Sequence, residues 1–190
     1  MFKDLVKQNR SYRKFDSSED ISYEILTDII DTARYTPSAR NLQVMRYRLV
    51  NTKEENDKVF PTLGWAGYLP DWDGPNENER PTAYIVLLRE LDLGKTINYD
   101  DGIVAQTITL AAVEKGLGCC MIQSCQWNEL FNILNIDPQK YSFSSIIAIG
   151  KPVENVVIED INEDNVKYYR DEQLTHHVPK RTLDELIIKK

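Results

Sequence analysis

One domain of helices alternating with buried strands is the fold this chain predicts, on three observations. Its apolar runs, such as Tyr84-Ile85-Val86-Leu87-Leu88 and Ile146-Ile147-Ala148-Ile149, have the length of strands and fall far short of the roughly 20 residues a membrane-spanning helix needs. Other segments repeat apolar residues at helical intervals, most clearly Ile25, Leu26, Ile29, Ile30 and Ala33. The length of 190 residues suits a single domain with a real core, one that buries about 70% of the surface of the unfolded chain.

Taken in order, Phe2, Leu5 and Val6 place a short helix over 2–9, and a cationic run begins where it ends. Ser22 is a candidate N-cap for the helix carrying Ile25 to Ala33, which Pro37 must stop. Tyr47, Leu49 and Val50 suggest a strand, and Thr52-Lys53-Glu54-Glu55 has the spacing of a capping box that opens a helix ending near Phe60-Pro61. Residues 61–81, with four prolines, three glycines, Trp65, Tyr68 and Trp72, predict a loop or short helix that has something to cover. A strand at 83–88 precedes Asp100-Asp101-Gly102 and a helix whose Ile103, Ala105, Ile108, Leu110, Ala111, Ala112 and Val113 place it in the core or an interface. Gly116-Leu117-Gly118 supplies a left-handed helix stop, 119–122 a buried strand, 127–134 a short helix and 145–150 the last strand. Beyond Pro152 the chain is mostly polar, interrupted by Val156-Val157-Ile158, Tyr168-Tyr169 and Leu183, Leu186, Ile187 and Ile188. Such a tail is not expected to fold on itself; it is either disordered or an arm docked on a body or partner subunit, and the aromatics favour docking.

With 23 Lys+Arg against 30 Asp+Glu, the net charge of -7 argues against nucleic-acid or anionic membrane partners. The opening Met1-Phe2-Lys3-Asp4 lacks an export pattern, so a cytoplasmic location is expected. Cys119, Cys120 and Cys125 are odd in number and lack Cys-x-x-Cys spacing, so they are expected to be reduced thiols buried as small hydrophobes. The adjacent His176 and His177 have no carboxylate cluster to complete a metal site and are expected to be solvated or hydrogen-bonded in the tail.

The chemistry lies in two runs. Asn9-Arg10-Ser11-Tyr12-Arg13-Lys14-Phe15 offers two guanidiniums and a hydroxyl at tight spacing, suited to a phosphate dianion or an electron-rich ring edge. Pro37-Ser38-Ala39-Arg40-Asn41-Leu42-Gln43 offers a hydroxyl and two carboxamides after a helix, able to meet a polar heterocycle. Each has a plainer reading, the first as a solvated basic face and the second as a turn satisfying its own backbone. Together, and with Lys180-Arg181, they suit a flavin site. A flavin carries its own chemistry, so the protein binds, orients and tunes it without a catalytic nucleophile or acid–base dyad. A guanidinium near N1 and the C2 carbonyl would stabilise the reduced ring.

In order and spacing, six pieces make the chain resemble the FMN-dependent nitroreductase family over essentially its whole length. They are Arg10-Ser11-x-Arg13-x-Phe15; Pro37-Ser38-Ala39-x-Asn41-x-Gln43; Asp100-x-Gly102-x-x-Ala105-Gln106; Leu110-Ala111-Ala112 with Gly116-Leu117-Gly118; Ile149-Gly150-Lys151-Pro152; and Pro179-Lys180-Arg181-Thr182-Leu183-Asp184-Glu185. The resemblance implies an α+β fold, a mixed, mainly antiparallel sheet flanked by helices. It implies one FMN-binding domain over 1–190, with 152–190 an extended C-terminal arm crossing to the other subunit of an intertwined homodimer.

By the same resemblance, Arg10, Ser11 and Arg13 hold the phosphate and the N1/O2 edge, and Lys180 or Arg181 closes on the phosphate. Ser38, Ala39, Asn41 and Gln43, in the loop opened by Pro37, approach the ring from the partner subunit. The backbone amides of Gln123 and Ser124 lie near N5, and no metal takes part. The implied reaction is ping-pong, NADH or NADPH reducing the flavin and an electron-poor small molecule such as a nitroaromatic or quinone reoxidising it. Val44-Met45 stands where many relatives have Pro-Trp, which alters the packing beneath the ring, and Cys119-Cys120-Met121 leaves the acceptor open. Two alternatives keep the site and change the outcome: a dehalogenating or flavin-consuming branch, or an FMN-binding protein without turnover. The segment from Trp65 to Trp72 is either a lid over planar substrates or packing against the body.

Overall fold

In the computed structural model, which describes residues 1–93, 99–161 and 165–188, the elements follow one another from α1 (Phe2–Gln8), β1 (Phe15–Asp16), α2 (Tyr23–Ala33), β2 (Met45–Val50) and α3 (Lys53–Val59) to β3 (Ala83–Glu90). There follow α4 (Asp100–Glu114), β4 (Gly118–Ile122), α5 (Trp127–Leu134), β5 (Tyr141–Pro152), β6 (Val156–Asp160), β7 (Tyr169–Arg170), β8 (His176–Lys180) and α6 (Leu183–Leu186). Strand β5 is the axis of the main sheet. On one edge it pairs antiparallel with β3, beyond which lies β2; on the other it pairs antiparallel with β4 and β1.

Alternation along the strands splits the core into two layers. Ile85, Leu87, Ile147 and Ile149 cluster with Leu26 and Ile29 of α2 and Val104, Ile108 and Ala112 of α4. Tyr84, Val86, Ile146 and Ala148 cluster with Val59 of α3 and Leu130, Phe131 and Leu134 of α5. Helices cover both faces, so β3 and β5 carry unbroken apolar runs, not the alternating pattern of an antiparallel sheet with one wet face.

Local signals mostly act where they stand. Ser22 Oγ accepts the Ile25 N–H at 3.3 Å, and α2 stops a turn before Pro37. Thr52 Oγ1 accepts the Glu55 N–H at 3.3 Å, but the Glu55 carboxylate pairs with Arg48, so only half of the expected capping box forms there. A full box opens α6, where the Thr182 N–H donates to Glu185 Oε2 at 2.8 Å. Gly116 ends α4 at φ +73°, a conformation strained for other residues.

The segment after Pro152 departs from expectation: it folds on itself. β6 and β8 pair in parallel, β7 adds antiparallel to β8, and the three make a second sheet. Only Glu154 and His176 are buried among the described residues of this segment, so polar contacts hold it to the body. His176, expected in a solvated or hydrogen-bonded tail, is 1% exposed. Leu183, Leu186, Ile187 and Ile188 are exposed. The segment after α3 packs on this second sheet: Tyr68 meets Tyr168 with ring centres 5.0 Å apart, and the Arg170 guanidinium lies 4.2 Å from the centre of the Trp72 ring. Among the described residues no helix is long and apolar enough to cross a membrane.

Candidate functional site

The cationic run after α1 is stitched to the body by α4 and β4. Asn9 Nδ2 donates to Thr109 Oγ1 of α4 at 2.8 Å, Ser11 bridges Cys119 of β4, and the Tyr12 N–H donates to the Cys119 carbonyl at 2.9 Å. Gly118 permits this approach, because a Cβ there would come within 2.8 Å of the Tyr12 ring. The turn carries Arg13 inward until it is 8% exposed.

Around Arg13 the charges do not cancel. Glu154 accepts the Arg13 backbone N–H on Oε2 at 2.9 Å, and its Oε1 takes the two-pronged Arg170 fork at 2.7 and 3.1 Å. The Arg13 guanidinium itself donates to the Ser11 carbonyl at 3.3 Å and to His176 Nε2 at 3.0 Å, and lies 4.5 Å from the centre of the Tyr168 ring. The one buried carboxylate thus takes the Arg170 guanidinium and only the backbone N–H of Arg13, and among the described residues the Arg13 guanidinium, which lines the cleft, has no carboxylate partner. A buried charge in that state is costly unless a ligand completes it. The cleft it faces, about 340 Å³, is also lined by Arg10, Ser11, Gln106, Met121 and Lys180. Arg10 donates to the Val6 carbonyl at 3.0 Å, its Nε is buried without a partner among the described residues, and burial lowers its pKa. Cations, a hydroxyl and an unpaired N–H in one cleft form the donor set that a phosphate monoester and the electron-rich edge of FMN would satisfy.

The second run forms a separate construction. Asp100, 4% exposed at the start of α4, accepts the Ser38 hydroxyl at 2.6 Å and the Ala39 N–H at 3.0 Å, and Ser38 Oγ accepts the Gln43 N–H at 2.8 Å. So held, Arg40, Asn41 and Gln43 all take positive φ, at 55°, 55° and 51°. Three non-glycine residues in that region within four positions concentrate strain where Asp100 anchors the loop, a pattern found at ligand-binding loops. Pro37, Ser38 and Gln43 line a cleft of about 190 Å³ with Tyr47, whose hydroxyl pKa burial pushes up to about 12.

Gln123 lines a third cleft, with Gly102, Ala105, Met121, Ser144 and Ser145. Met121 borders both this cleft and that of Arg13, so the two adjoin along α4 and β4. Ser124 is instead tied to the loop after α3, its carbonyl accepting the Gly64 N–H at 2.7 Å. Arg181 pairs with Glu185 at 3.1 Å beside α6. The structure therefore brings Arg10, Ser11, Arg13 and Lys180 together, and Pro37, Ser38 and Gln43 together with Ala39 and Asn41 on the same loop, but keeps the two groups in different clefts of one chain.

The cysteines are free; burial raises the thiol pKa of Cys119 well above its ordinary value and that of Cys120 to about 11, so both stay protonated as inert packing. Among the described residues no cluster suits a metal. Sequence reasoning gave no site role to Asp100, Glu154, Tyr168, Arg170 or His176, although it named Tyr168 among the docking aromatics and His176 as a tail residue. Asp100 stood in a quoted motif, and nothing there marked it as the anchor of a loop 61 residues away.

The nitroreductase family model matches residues 6–67, which span both runs. A Bacillus subtilis protein named as an NAD(P)H nitroreductase is 22% identical over 186 residues, covering 80% of this chain and 89% of its own length. Among solved structures, a nitroreductase-type protein from Desulfovibrio desulfuricans in complex with FMN superposes with a TM-score of 0.70 at 21% identity, covering 98% of this chain and 95% of its own. A Staphylococcus epidermidis protein named as an NAD(P)H:FMN oxidoreductase gives a TM-score of 0.70 at 18% identity, over 85% of this chain and 91% of its own. The resemblance first seen in the motifs thus holds on both counts: the chain has the nitroreductase fold, and residues 6–67 carry the sequence signature of the nitroreductase family.

Proposed function

We propose that this protein is an FMN-dependent oxidoreductase that takes electrons from NADH or NADPH and passes them to an electron-poor small molecule such as a nitroaromatic or quinone. The observation that carries this reading is the buried Arg13 guanidinium, which has no carboxylate partner among the described residues and shares a cleft with Arg10 and Lys180. FMN, when bound, supplies the hydride and electron chemistry. Arg10, Ser11 and Lys180 hold its phosphate, and Arg13 stabilises negative charge at the N1/O2 edge in a site of low dielectric. The backbone amides of Gln123 and Ser124 serve the N5 side; Gln123 lines the cleft that adjoins that of Arg13 at Met121.

The working unit is a homodimer. The loop carrying Ser38, Ala39, Asn41 and Gln43 lies in a cleft apart from Arg13, so a second copy must bring it to the ring. The exposed Leu183, Leu186, Ile187 and Ile188 offer an apolar surface for that copy.

The test is an anaerobic absorbance spectrum of the FMN-loaded protein before and after NADH or NADPH. Flavin bands should bleach, then recover when a quinone or nitroaromatic is added; bound flavin that never bleaches would favour a non-catalytic FMN-binding protein. Arg13→Ala should weaken FMN binding by about 1.5 to 3 kcal/mol, the worth of a charge-assisted hydrogen bond, in a fluorescence titration. Unchanged affinity would remove Arg13 from the site.

A further inference from the structure

His176 is one of the two buried residues in the described part of the tail, and nothing in the flavin chemistry uses it. Its Nε2 stands 3.0 Å from Arg13 Nη1. An arginine nitrogen only donates, so Nε2 accepts, and an imidazole that accepts on one nitrogen is neutral with its proton on the other. That other nitrogen, Nδ1, is buried without a partner among the described residues. The ring is wedged against Tyr168, centres 5.2 Å apart, and the same Tyr168 lies beneath the Arg13 guanidinium. One tail residue thus braces the guanidinium from the side and another supports its face.

Building on the flavin reading above, we propose that His176 is a positioning residue for FMN: in its neutral form it fixes the direction of the Arg13 guanidinium and so sets both the affinity for the cofactor and its acid limit. A guanidinium on a flexible stem has many orientations, and most do not face a ligand. The acceptor at Nε2 selects one of them without neutralising the charge, which a carboxylate at that position would do. Glu154, buried nearby, performs the complementary task of fixing the Arg13 backbone while its other oxygen is occupied by Arg170.

The charged and titratable groups around His176 come from four segments: Arg13 from the turn after α1, Glu154 from the turn between β5 and β6, Tyr168 from just before β7 and Arg170 from within it, and neighbouring His177 within β8. Burial pushes the His176 pKa down to about 4; Arg13, Arg170 and His177 oppose protonation, and Glu154 favours it. A folded-state pKa below the ordinary value of 6.5 means that this contact is fully present above that value and is lost as pH falls through about 4. Protonated His176 would turn a donor and a positive charge toward Arg13.

The test compares His176→Phe, which keeps a flat ring against Tyr168 but removes the acceptor, with His176→Gln, whose carboxamide oxygen can accept from Arg13 but does not titrate. His176→Phe should bind FMN about tenfold more weakly, the lower range for a hydrogen bond to a charged group, while His176→Gln stays within about twofold of the parent. In the parent, FMN affinity should fall as pH drops from about 6 toward 4, and in His176→Gln this component of the fall should be missing. In the FMN-free parent, two-bond nitrogen–proton NMR at neutral pH should show the Nδ1–H tautomer. Parent-like FMN affinity in folded His176→Phe, an acid limb in His176→Gln as deep as the parent's, or an Nε2–H or doubly protonated ring at neutral pH would each overturn the proposal. If the parent itself binds no FMN, the flavin reading fails and this role falls with it, whereas a parent that binds FMN alongside an indifferent His176→Phe sinks the positioning role only.

Discussion

The main sheet and the tail sheet solve the same problem by opposite means. In the first, β3 and β5 are filled with aliphatic residues covered by helices on both faces. In the second, the two buried residues among those described are Glu154 and His176, and their partners are guanidiniums and an aromatic ring. Apolar burial is non-directional and indifferent to protonation, and it tolerates small displacements. A buried polar network depends on every member being present, oriented and in the right charge state. The element that closes on the cationic cleft is therefore the one whose docking responds to pH and to ligand charge, while the scaffold behind it does not.

The sharpest way to separate the two is to damage each at its centre. Ile147, fully buried in β5, should cost about 2 to 5 kcal/mol of global stability when cut to alanine, because transfer energy is lost and the cavity left behind cannot fully collapse. Chemical denaturation should register this as a lower midpoint for the whole chain. Glu154→Gln strikes the tail instead: the Arg170 guanidinium loses its carboxylate and the Arg13 backbone N–H its charged acceptor, a local loss of about 3 kcal/mol for breaking a buried ion pair. Hydrogen exchange should then show β6 and β8 opening while the amides of β3 and β5 stay protected. If Glu154→Gln instead lowers the global midpoint as Ile147→Ala does, the two sheets are one cooperative unit and the contrast is lost.

The same contrast explains what could be seen in the sequence. The apolar runs of β3 and β5, the helix at Trp127–Leu134 and the stop at Gly116 are local signals, each written in neighbouring residues. Strand β5 begins at Tyr141, five residues before its aliphatic run: Tyr141, Ser142 and Phe143 pair with β3, a register shift beside Ser144 follows, and the two half-buried aromatics alternating with serines are too short a signal to extend the strand. The tail sheet was invisible for a stronger reason. Its anchors join residues 141 and 163 positions apart, and its strands are polar, so neither period nor propensity marks them. In the site, the arginines and the Ser38 loop were legible as motifs of charge and hydrogen-bonding type. The anchoring of that loop by Asp100 and its run of positive φ were not, since strain imposed by tertiary contacts leaves no trace in residue type.

The smallest expected effect lies on the outer side of β8, at the neighbour of His176. His177 faces away from Arg13, with Nδ1 2.8 Å from Glu159 Oε2 and Nε2 3.2 Å from Asp171 Oδ2, and its ring stacks on Tyr169 at 4.7 Å. Carboxylates at both nitrogens require a proton on each, so this ring is held as the imidazolium and bridges β6 to the turn after β7. Glu159 first and Asp171 second raise its pKa above the ordinary value of 6.5. A raised folded-state pKa gives a contribution fully present below about pH 6.5 and lost as pH climbs through the folded value, the opposite sense to His176. After correction for base-catalysed exchange, the amides of β6 and β8 should lose protection as pH rises from about 6 to 9, and His177→Gln should flatten that dependence. Partly exposed and screened by solvent, the clamp should loosen the tail without unfolding it. Protection in the parent that stays constant across this range would mean that the β6–β8 ladder alone holds the tail sheet and that its outer charges are ornament.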